Sequence, residues 1–474
     1  MDRHALVAEL EKIAGKQGVL SAPGELAVYG YDGSIERHTP DVVVLPTATE
    51  QVVQIVRLAR QAGMPIVPRG AGTGLSGGSV PIAGGIVIGT SRMRRILEIN
   101  PEDRYAIVEP GVINLDVTAA AAAYGLCYVP DPSSQTVSTI GGNVAENAGG
   151  PHCLLYGMTS NHVLGLEVVL PDGEVVQLGG LAPDSPGYDL RGVMVGSEGT
   201  LGIVTKILIR LIPVATDVRT LLAVFGILED AGRAVSSIIG QGIVPAALEI
   251  MDTLTLQAVE EAFHAGYPPE AAAILLVEVD GYADGLDDLT AHIEAICRQH
   301  GAREIRLART NEERTLLWKG RKSAFGAMGR IAPSYYVQDG VVPRSRLPEV
   351  LHYAVDVSKR HNLKIANVLH AGDGNLHPLV TFDPREPGVI DRVRAASADL
   401  LRRCVELGGT ITGEHGVGLE KQDFMTWLFN ESDLAQMRRL KEVFDPQGML
   451  NPGKIFPGSR HQVEGSKVHQ PVHA

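Results

Sequence analysis

Cysteine is scarce in this 474-residue sequence: Cys127, Cys153, Cys297 and Cys404 lie far apart and form no Cys-x-x-Cys pair. That excludes an iron–sulfur or zinc-ribbon motif and reads as reduced thiols rather than a disulfide framework. Long apolar runs are missing too. The alanine-rich stretch around Ala119–Ala123 is broken by Asp116 and Gly125, so no segment reads as a membrane-spanning helix. Met1–Lys16 is amphipathic and charged, without the apolar core of a signal peptide. Positive charge is also in deficit: 42 Lys and Arg against 55 Asp and Glu give a net −13, which argues against a broad basic face for nucleic acid. The expected location is the cytoplasm.

Glycine is in excess. The 54 glycines are about 11% of the chain, against an average near 7%. They cluster without period, which excludes collagen and points to loops whose backbone approaches something closely. The 45% hydrophobic and 20% charged fractions are those of a globular protein, and the length allows roughly three compact units.

Apolar residues at Leu6, Leu10 and Ile13 predict a helix over Leu6–Ala14. Asp41–Pro46 predicts a buried strand, Thr49 a cap for a helix over Glu50–Ala62 ended by Gly63, and Met64–Pro68 a returning strand, hence a βαβ unit. Strands at Ile86–Ile88, Ile107–Glu109 and Val168–Leu170 and a helix over Asn114–Tyr124 continue the alternation to about Pro213. From about Val214 to Arg360, helical periods over Leu228–Ile239, Thr253–His264 and Leu286–His300 alternate with strand-like runs such as Ala273–Val279, the pattern of helices on an antiparallel sheet. Loops are expected at Leu369–Pro378 and Gly408–Glu420, a helix over Leu434–Phe444, a final loop Asn451–Lys454, and a frayed tail after Pro457.

Three glycine-rich segments stand in the first half. One runs Pro68, Arg69, Gly70, Ala71, Gly72, Thr73, Gly74, Leu75, Ser76, Gly77, Gly78. Its glycines let backbone N–H groups point at an anion. Gly72, Gly74 and Gly77 spell GxGxxG, but Gly77, Gly78 and Pro81 oppose the helix that a Rossmann turn must open. No Gly-Lys-Ser/Thr completes a Walker loop. The second segment comprises Pro130, Asp131, Pro132 and Ser133, then Thr139, Ile140, Gly141, Gly142, Asn143, Val144, Ala145, Glu146, Asn147, Ala148, Gly149 and Gly150, with Tyr156 and Gly157 beyond. The third is Val195–Val204, with Glu198, Gly202, Ile203 and Val204 as candidates. Together they suggest an extended ligand, with pyrophosphate on amides and a flat ring system beyond, and Asn451 in the final loop is a further candidate.

In the second half, His370 and His377 flank a Gly-Asp-Gly turn, and Gly413-Glu-His-Gly416 adds Glu414 beside His415. A lone histidine pair is ordinarily structural or incidental. Two histidines with one glutamate match a three-ligand divalent-metal site with open positions. In an extended segment Glu414 and His415 face opposite ways.

These motifs resemble those of the flavoprotein superfamily of p-cresol methylhydroxylase and vanillyl-alcohol oxidase, and within it the D-2-hydroxy acid dehydrogenase branch, which includes the flavin-bearing subunits of glycolate oxidases. The resemblance covers about residues 40–457. It implies an α+β protein with FAD on a two-subdomain domain of the p-cresol methylhydroxylase type (residues 1–213), a substrate and metal domain of antiparallel sheet and helices (214–457), and a tail (458–474). Members with covalent FAD often carry a histidine where this chain has Thr73, so non-covalent FAD is expected, with His152 and Cys153 as loop neighbours of the flavin rather than attachment points. The resemblance implies a metal, commonly zinc, on His370, His377 and Glu414. It also implies that Arg321, in Trp318–Phe325, grips the substrate carboxylate as a planar fork. His415 is the candidate general base, because imidazole titrates near neutrality. Hydride would pass from C2 to flavin N5, giving a 2-oxo acid.

Relatives acting on D-2-hydroxyglutarate carry a further basic residue in the stretch matching Tyr335–Asp339, which here has none. That tilts the expected substrate toward glycolate or D-lactate. The resemblance further implies a second flavin-type subunit and an iron–sulfur subunit as electron acceptors, through which the chain would lie peripheral to the inner membrane. Rival readings are a redox-neutral flavoenzyme resembling alkylglycerone-phosphate synthase, a non-catalytic flavin subunit, and a metal hydrolase without flavin, the last opposed by the glycine loops.

Overall fold

The computed structural model describes residues 2–182 and 186–468. The chain divides into two compact units: Met1–Gly149, Met158–Val214 and Glu414–Ala474 form the first, and Gly150–Gly157 and Ala215–Gly413 the second.

The first unit holds two larger sheets and a two-stranded one that pairs Leu126–Cys127 with Ile212–Pro213. In the four-stranded one, Val19–Leu20, Val42–Val44, Ile86–Gly89 and Ile66–Arg69 lie in that order, the last three mutually parallel. The expected βαβ unit is there, with Ile86–Gly89 inserted between its two strands. The crossover helix Thr49–Ala62 buries Val52, Ile55, Val56 and Ala59, spaced for one face, and ends at left-handed Gly63. Its cap is Ala48, not Thr49. Thr49 is already helical, and its hydroxyl donates to Glu167 Oε1 at 2.8 Å, a tertiary bond that displaces the local cap. The second sheet is antiparallel, ordered Ile96–Asn100, Tyr105–Val108, Ile203–Arg210, Val163–Val169, Val175–Gly179. Beyond Pro457 the structure has a helix, Ser459–Val468, where a frayed end was expected, and residues 469–474 of that expected tail lie outside the described residues. Arg460 fastens it by gripping the Glu36 carboxylate with two nitrogens, at 3.0 and 2.9 Å.

The second unit is one antiparallel sheet with helices, as the composition shift predicts. Its order is Ala302–Leu307, Asp217–Phe225, Ala273–Gly281, Ala247–Asp252, Lys364–His370, Asn375–Phe382, Ser334–Val337, with Gly340–Val341 also paired to Asn375–Phe382. Helices Leu228–Gly240, Leu286–Gln299 and Leu347–His361 share a core with strand residues Leu221, Ala223, Leu248, Ile250, Leu275, Val277, Leu369 and Leu376. Successive strand residues point to opposite faces. Thr220, Glu249, Glu278, His370 and His377, each odd-stepped from that set, therefore project from the face opposite those helices. The segment expected as a loop over Leu369–Pro378 is mostly a hairpin: His370 ends one strand and His377 lies in the next, with only residues 371–374 turning between them.

Candidate active site

In the first unit, strand Ile66–Arg69 runs into the first glycine loop, and no helix follows it, as the sequence predicts. Among the described residues, no carbonyl or side chain accepts a hydrogen bond from the backbone N–H of any of residues 70–78. Backbone amides with no partner are rare where the chain is enclosed, and Ser76, Gly77 and Gly78 are buried. The row of donors fits an anionic ligand such as a pyrophosphate. Four further enclosed atoms, the Ser76 and Ser138 hydroxyls, Asn451 Oδ1 and Glu146 Oε2, have no partner among the described residues.

The loops are fastened to one another. A Cβ on Gly70 would stand 2.5 Å from Thr139 Oγ1, the atom that caps helix Ile140–Glu146 by accepting from Gly142 N at 3.2 Å. Asn114 Nδ2 bridges the Pro130 carbonyl at 2.9 Å and Asn143 Oδ1 at 3.0 Å. Asn451 Nδ2 donates to the carbonyls of Gly78 and Glu198, at 2.8 and 2.7 Å. Lys454 Nζ, buried, donates to the carbonyls of Gly77, Gly78 and Val80, at 2.7, 3.2 and 2.6 Å. The sequence placed Lys454 in the final loop without assigning it a role. Burial pushes this amine down to about 8, against the pull of Asp32, Glu198 and Glu146.

Glu198 holds its own chain rather than offering its carboxylate outward. It accepts from Val417 N and Gly418 N, both at 2.7 Å, and so clamps the segment that carries Glu414 and His415. Its pKa is raised by burial, which outweighs those two bonds. Part of the Glu146 side chain reaches the surface, but its carboxyl group is enclosed. Burial first, then the neighbouring Glu198 charge, push it well above the carboxylate range.

Of the sequence-predicted cofactor residues, Gly150, Tyr156 and Gly157 fall in the second unit, where Tyr156 OH donates to Asp280 Oδ2 at 2.7 Å. His152 is there too, its Nε2 3.3 Å from Glu278 Oε1. Buried Glu278 also accepts from Arg314 Nε and Nη2, Trp318 Nε1 and Thr220 Oγ1. Burial alone would raise this carboxyl; His152 and Arg314 outweigh burial and hold it well below the usual carboxylate range.

The histidine pair is built by sheet register. His377 pairs with Val368, two residues before His370, so the rings are diagonal neighbours on one face. Their centroids are 5.0 Å apart at 87°, and a ligand nitrogen of each lies within 4.8 Å of the other. His370 Nδ1 lies 2.8 Å from Glu249 Oε1, and His377 Nδ1 lies 3.4 Å from the Gln338 carbonyl. Anchoring both Nδ1 atoms leaves Nε2 as the ligand position on each ring, which fits a divalent metal. Asp339 is buried with a carboxylate oxygen within 4.8 Å of a His377 nitrogen. It accepts from Thr412 Oγ1 at 2.6 Å and Gly413 N at 2.9 Å. Gly413, so held, is directly followed by Glu414 in the chain.

Arg321 lies in helix Asn311–Lys322, which Gly320 lets approach closely: a Cβ there would be 2.6 Å from that of Ala265. Arg321 is 1% exposed. Its Nε and Nη2 both address Glu249 Oε2, at 2.6 and 2.5 Å. Its Nε/Nη2 edge is therefore spent on a carboxylate of the protein, which leaves Nη1 as the nitrogen not engaged by Glu249. Glu249 and Asp339 are absent from the sequence-derived set. Their only signal was an acid inside the strand-like run Ala247–Asp252, which ends on a second acid, and another just after Ser334–Val337.

A glycine loop whose nine amides have no partner among the described residues, on an α+β unit, and a buried histidine pair on the antiparallel sheet of the other unit fit a protein that binds an anionic ligand and carries groups suited to acid–base chemistry. The family described as FAD binding domain matches residues 40–179, and FAD linked oxidases, C-terminal domain, matches residues 214–455. The chain belongs to the FAD-linked oxidases, and its cofactor is FAD. It is 45% identical to "Glycolate oxidase subunit GlcD" of Escherichia coli over 99% of this chain and 94% of that protein. It is 34% identical to a D-lactate dehydrogenase of Anaerostipes hadrus, over 91% of each. Its fold matches p-cresol methylhydroxylase with a TM-score of 0.79 at 18% identity, covering 95% of this chain and 96% of that one.

Proposed function

We propose that this protein oxidises a short 2-hydroxy monocarboxylate, glycolate or D-lactate, to the 2-oxo acid. The observation that carries the proposal is the buried His370–His377 pair on the second unit's sheet, in a chain that belongs to the FAD-linked oxidases. The names of its relatives, a glycolate oxidase subunit and a D-lactate dehydrogenase, support the substrate class.

Residues 1–213 serve as the FAD domain and 214–457 as the substrate and metal domain. Bound FAD supplies the two-electron acceptor. The amides of residues 70–78 would hold its pyrophosphate, with Thr139, Asn143 and Asn451 fixing the loops. The FAD is non-covalent: Thr73 has no nucleophilic ring, and His152 is committed to Glu278. His370, His377 and Glu414 would hold a divalent metal, zinc by family resemblance, whose charge would lower the pKa of the substrate hydroxyl. His415 takes that proton, since imidazole titrates where such a base is useful. Arg321 meets the substrate carboxylate through Nη1 alone. Electrons leave to a second flavin-type subunit and an iron–sulfur subunit, which would hold the chain at the membrane surface. A relative named as a subunit supports this, and no helix among the described residues is long and apolar enough to cross a membrane.

The test is anaerobic addition of glycolate, D-lactate and D-2-hydroxyglutarate to the yellow protein. One of the two monocarboxylates should bleach it fastest. Bleaching by none of them refutes the reading and favours redox-neutral chemistry.

A further inference from the structure

The sheet of the second unit places a buried acid against the first histidine of the pair. Glu249 and His370 sit on neighbouring antiparallel strands and are directly opposite in register. The strand alternation turns both away from the helical layer, so their side chains must meet. They do: His370 Nδ1 is 2.8 Å from Glu249 Oε1 and 3.0 Å from Oε2. Arg321 Nη2 is also near that nitrogen, but at 3.3 Å. Two carboxylate oxygens at the shorter distances decide the tautomer. Nδ1 carries the hydrogen and donates to Glu249, and Nε2 presents its lone pair on the other side of the ring.

A carboxylate with no exposed surface is costly unless it is paired and hydrogen-bonded. Arg321 meets that need with Nε and Nη2 on Oε2. The two partners divide the carboxylate. Arg321 holds Oε2, and the imidazole lies nearest Oε1. An arginine–glutamate–histidine relay is thus closed within one unit, and its outer end is a ring orientation.

We propose that Glu249 is the positioning residue of the metal site and that Arg321 is its buried counter-ion. Glu249 fixes the His370 ring and raises the donor strength of Nε2, while touching neither the ion nor the substrate. This rests on the metal reading given above. Carboxylate partners of ligating histidines typically tighten metal binding 10- to 100-fold.

The experiment compares wild type with Glu249→Gln, an isosteric change that keeps one acceptor oxygen and removes the charge. FAD-loaded protein is stripped with a chelator, and Zn2+ and Mn2+ affinities are measured by competition with a chromogenic chelator. Co2+ absorption reports the ligand field. The expected result is a roughly 10-fold or greater loss of ion affinity and a shifted Co2+ band, with flavin content per chain unchanged. A purely structural ion pair would lower the melting temperature and leave both the Co2+ spectrum and the affinity alone. An affinity within twofold of wild type overturns the proposal. If Glu249→Gln does not accumulate folded, Glu249→Asp serves the same comparison, because it keeps the charge but withdraws it by one methylene. His377→Ala separates the two levels. If wild type takes up no ion, or His377→Ala binds it as well as wild type does, the metal reading itself fails and the Glu249 role falls with it. If His377→Ala abolishes binding while Glu249→Gln changes nothing, only the Glu249 role falls.

Discussion

Glu198→Ala should loosen the segment that carries Glu414 and His415 without touching either residue. The Glu198 carboxylate accepts two backbone N–H groups, from Val417 and Gly418, each at 2.7 Å. Removing it strands both donors in a site where Glu198 itself is 5% exposed. Each buried donor left without a partner costs about 1–3 kcal/mol, so the pair costs about 2–6 kcal/mol. Water entering the vacated space would place the result at the lower end. Glu198 also adopts φ +53°, a region that alanine tolerates no better, so the backbone gives no compensating relief. With all 474 residues melting together at about 2.1 cal/mol/K per residue, the entropy change is roughly 1 kcal/mol/K, and the melting temperature falls about 2–6 °C. Amide hydrogen exchange read by mass spectrometry is the sharper assay. Peptides spanning residues 414–418 should exchange faster while those of the Ala273–Gly281 strand in the other unit do not. Unchanged exchange over 414–418 would refute the clamp, whatever the melting temperature did.

Glu146→Gln probes the enclosed carboxyl through pH. The folded-state pKa is raised, so the folded protein keeps a proton that the unfolded chain releases above about 4.3. The stability this contributes is fully present below that pH and is lost as pH rises toward the folded value. A glutamine cannot titrate, so the melting-temperature difference, wild type minus variant, should fall as pH climbs from 4 to 8; a constant difference contradicts the assignment. Gly70→Ala places a Cβ 2.5 Å from Thr139 Oγ1, so the first loop or the helix cap must shift. Overpacking of this kind costs about 1–3 kcal/mol, and flavin affinity should fall roughly 10-fold, measured by fluorescence titration of the apoprotein with FAD. Unaltered affinity would mean that the two loops can separate without loss.

The flavin half was legible because its signals are local. Glycine-rich runs after a strand, with Pro81 barring a helix, point to a loop of open backbone amides from neighbours in sequence alone. The histidines of the second half were legible by their spacing across one turn, although they lie in a hairpin rather than a loop, since the apolar run before His370 pairs with the strand Asn375–Phe382 that follows the turn. Glu249 was not legible. Its meeting with His370 is set by strand order across 121 positions, which no periodicity records. The same holds for the crossing of Ile86–Gly89 into the βαβ unit and for Thr49, whose hydroxyl prefers Glu167 to its own helix. The last helix escaped notice because what fastens it, Glu36, is 424 residues away.

The most direct measurement of the central claim is the rate at which substrate bleaches the flavin when C2 of D-lactate or glycolate carries deuterium. Breaking the C2–H bond in the oxidation of a 2-hydroxy acid predicts a several-fold slower bleaching with the deuterated acid in anaerobic stopped flow. Wild-type bleaching that is equally fast with either isotope, or that His415→Ala leaves intact, would contradict the account.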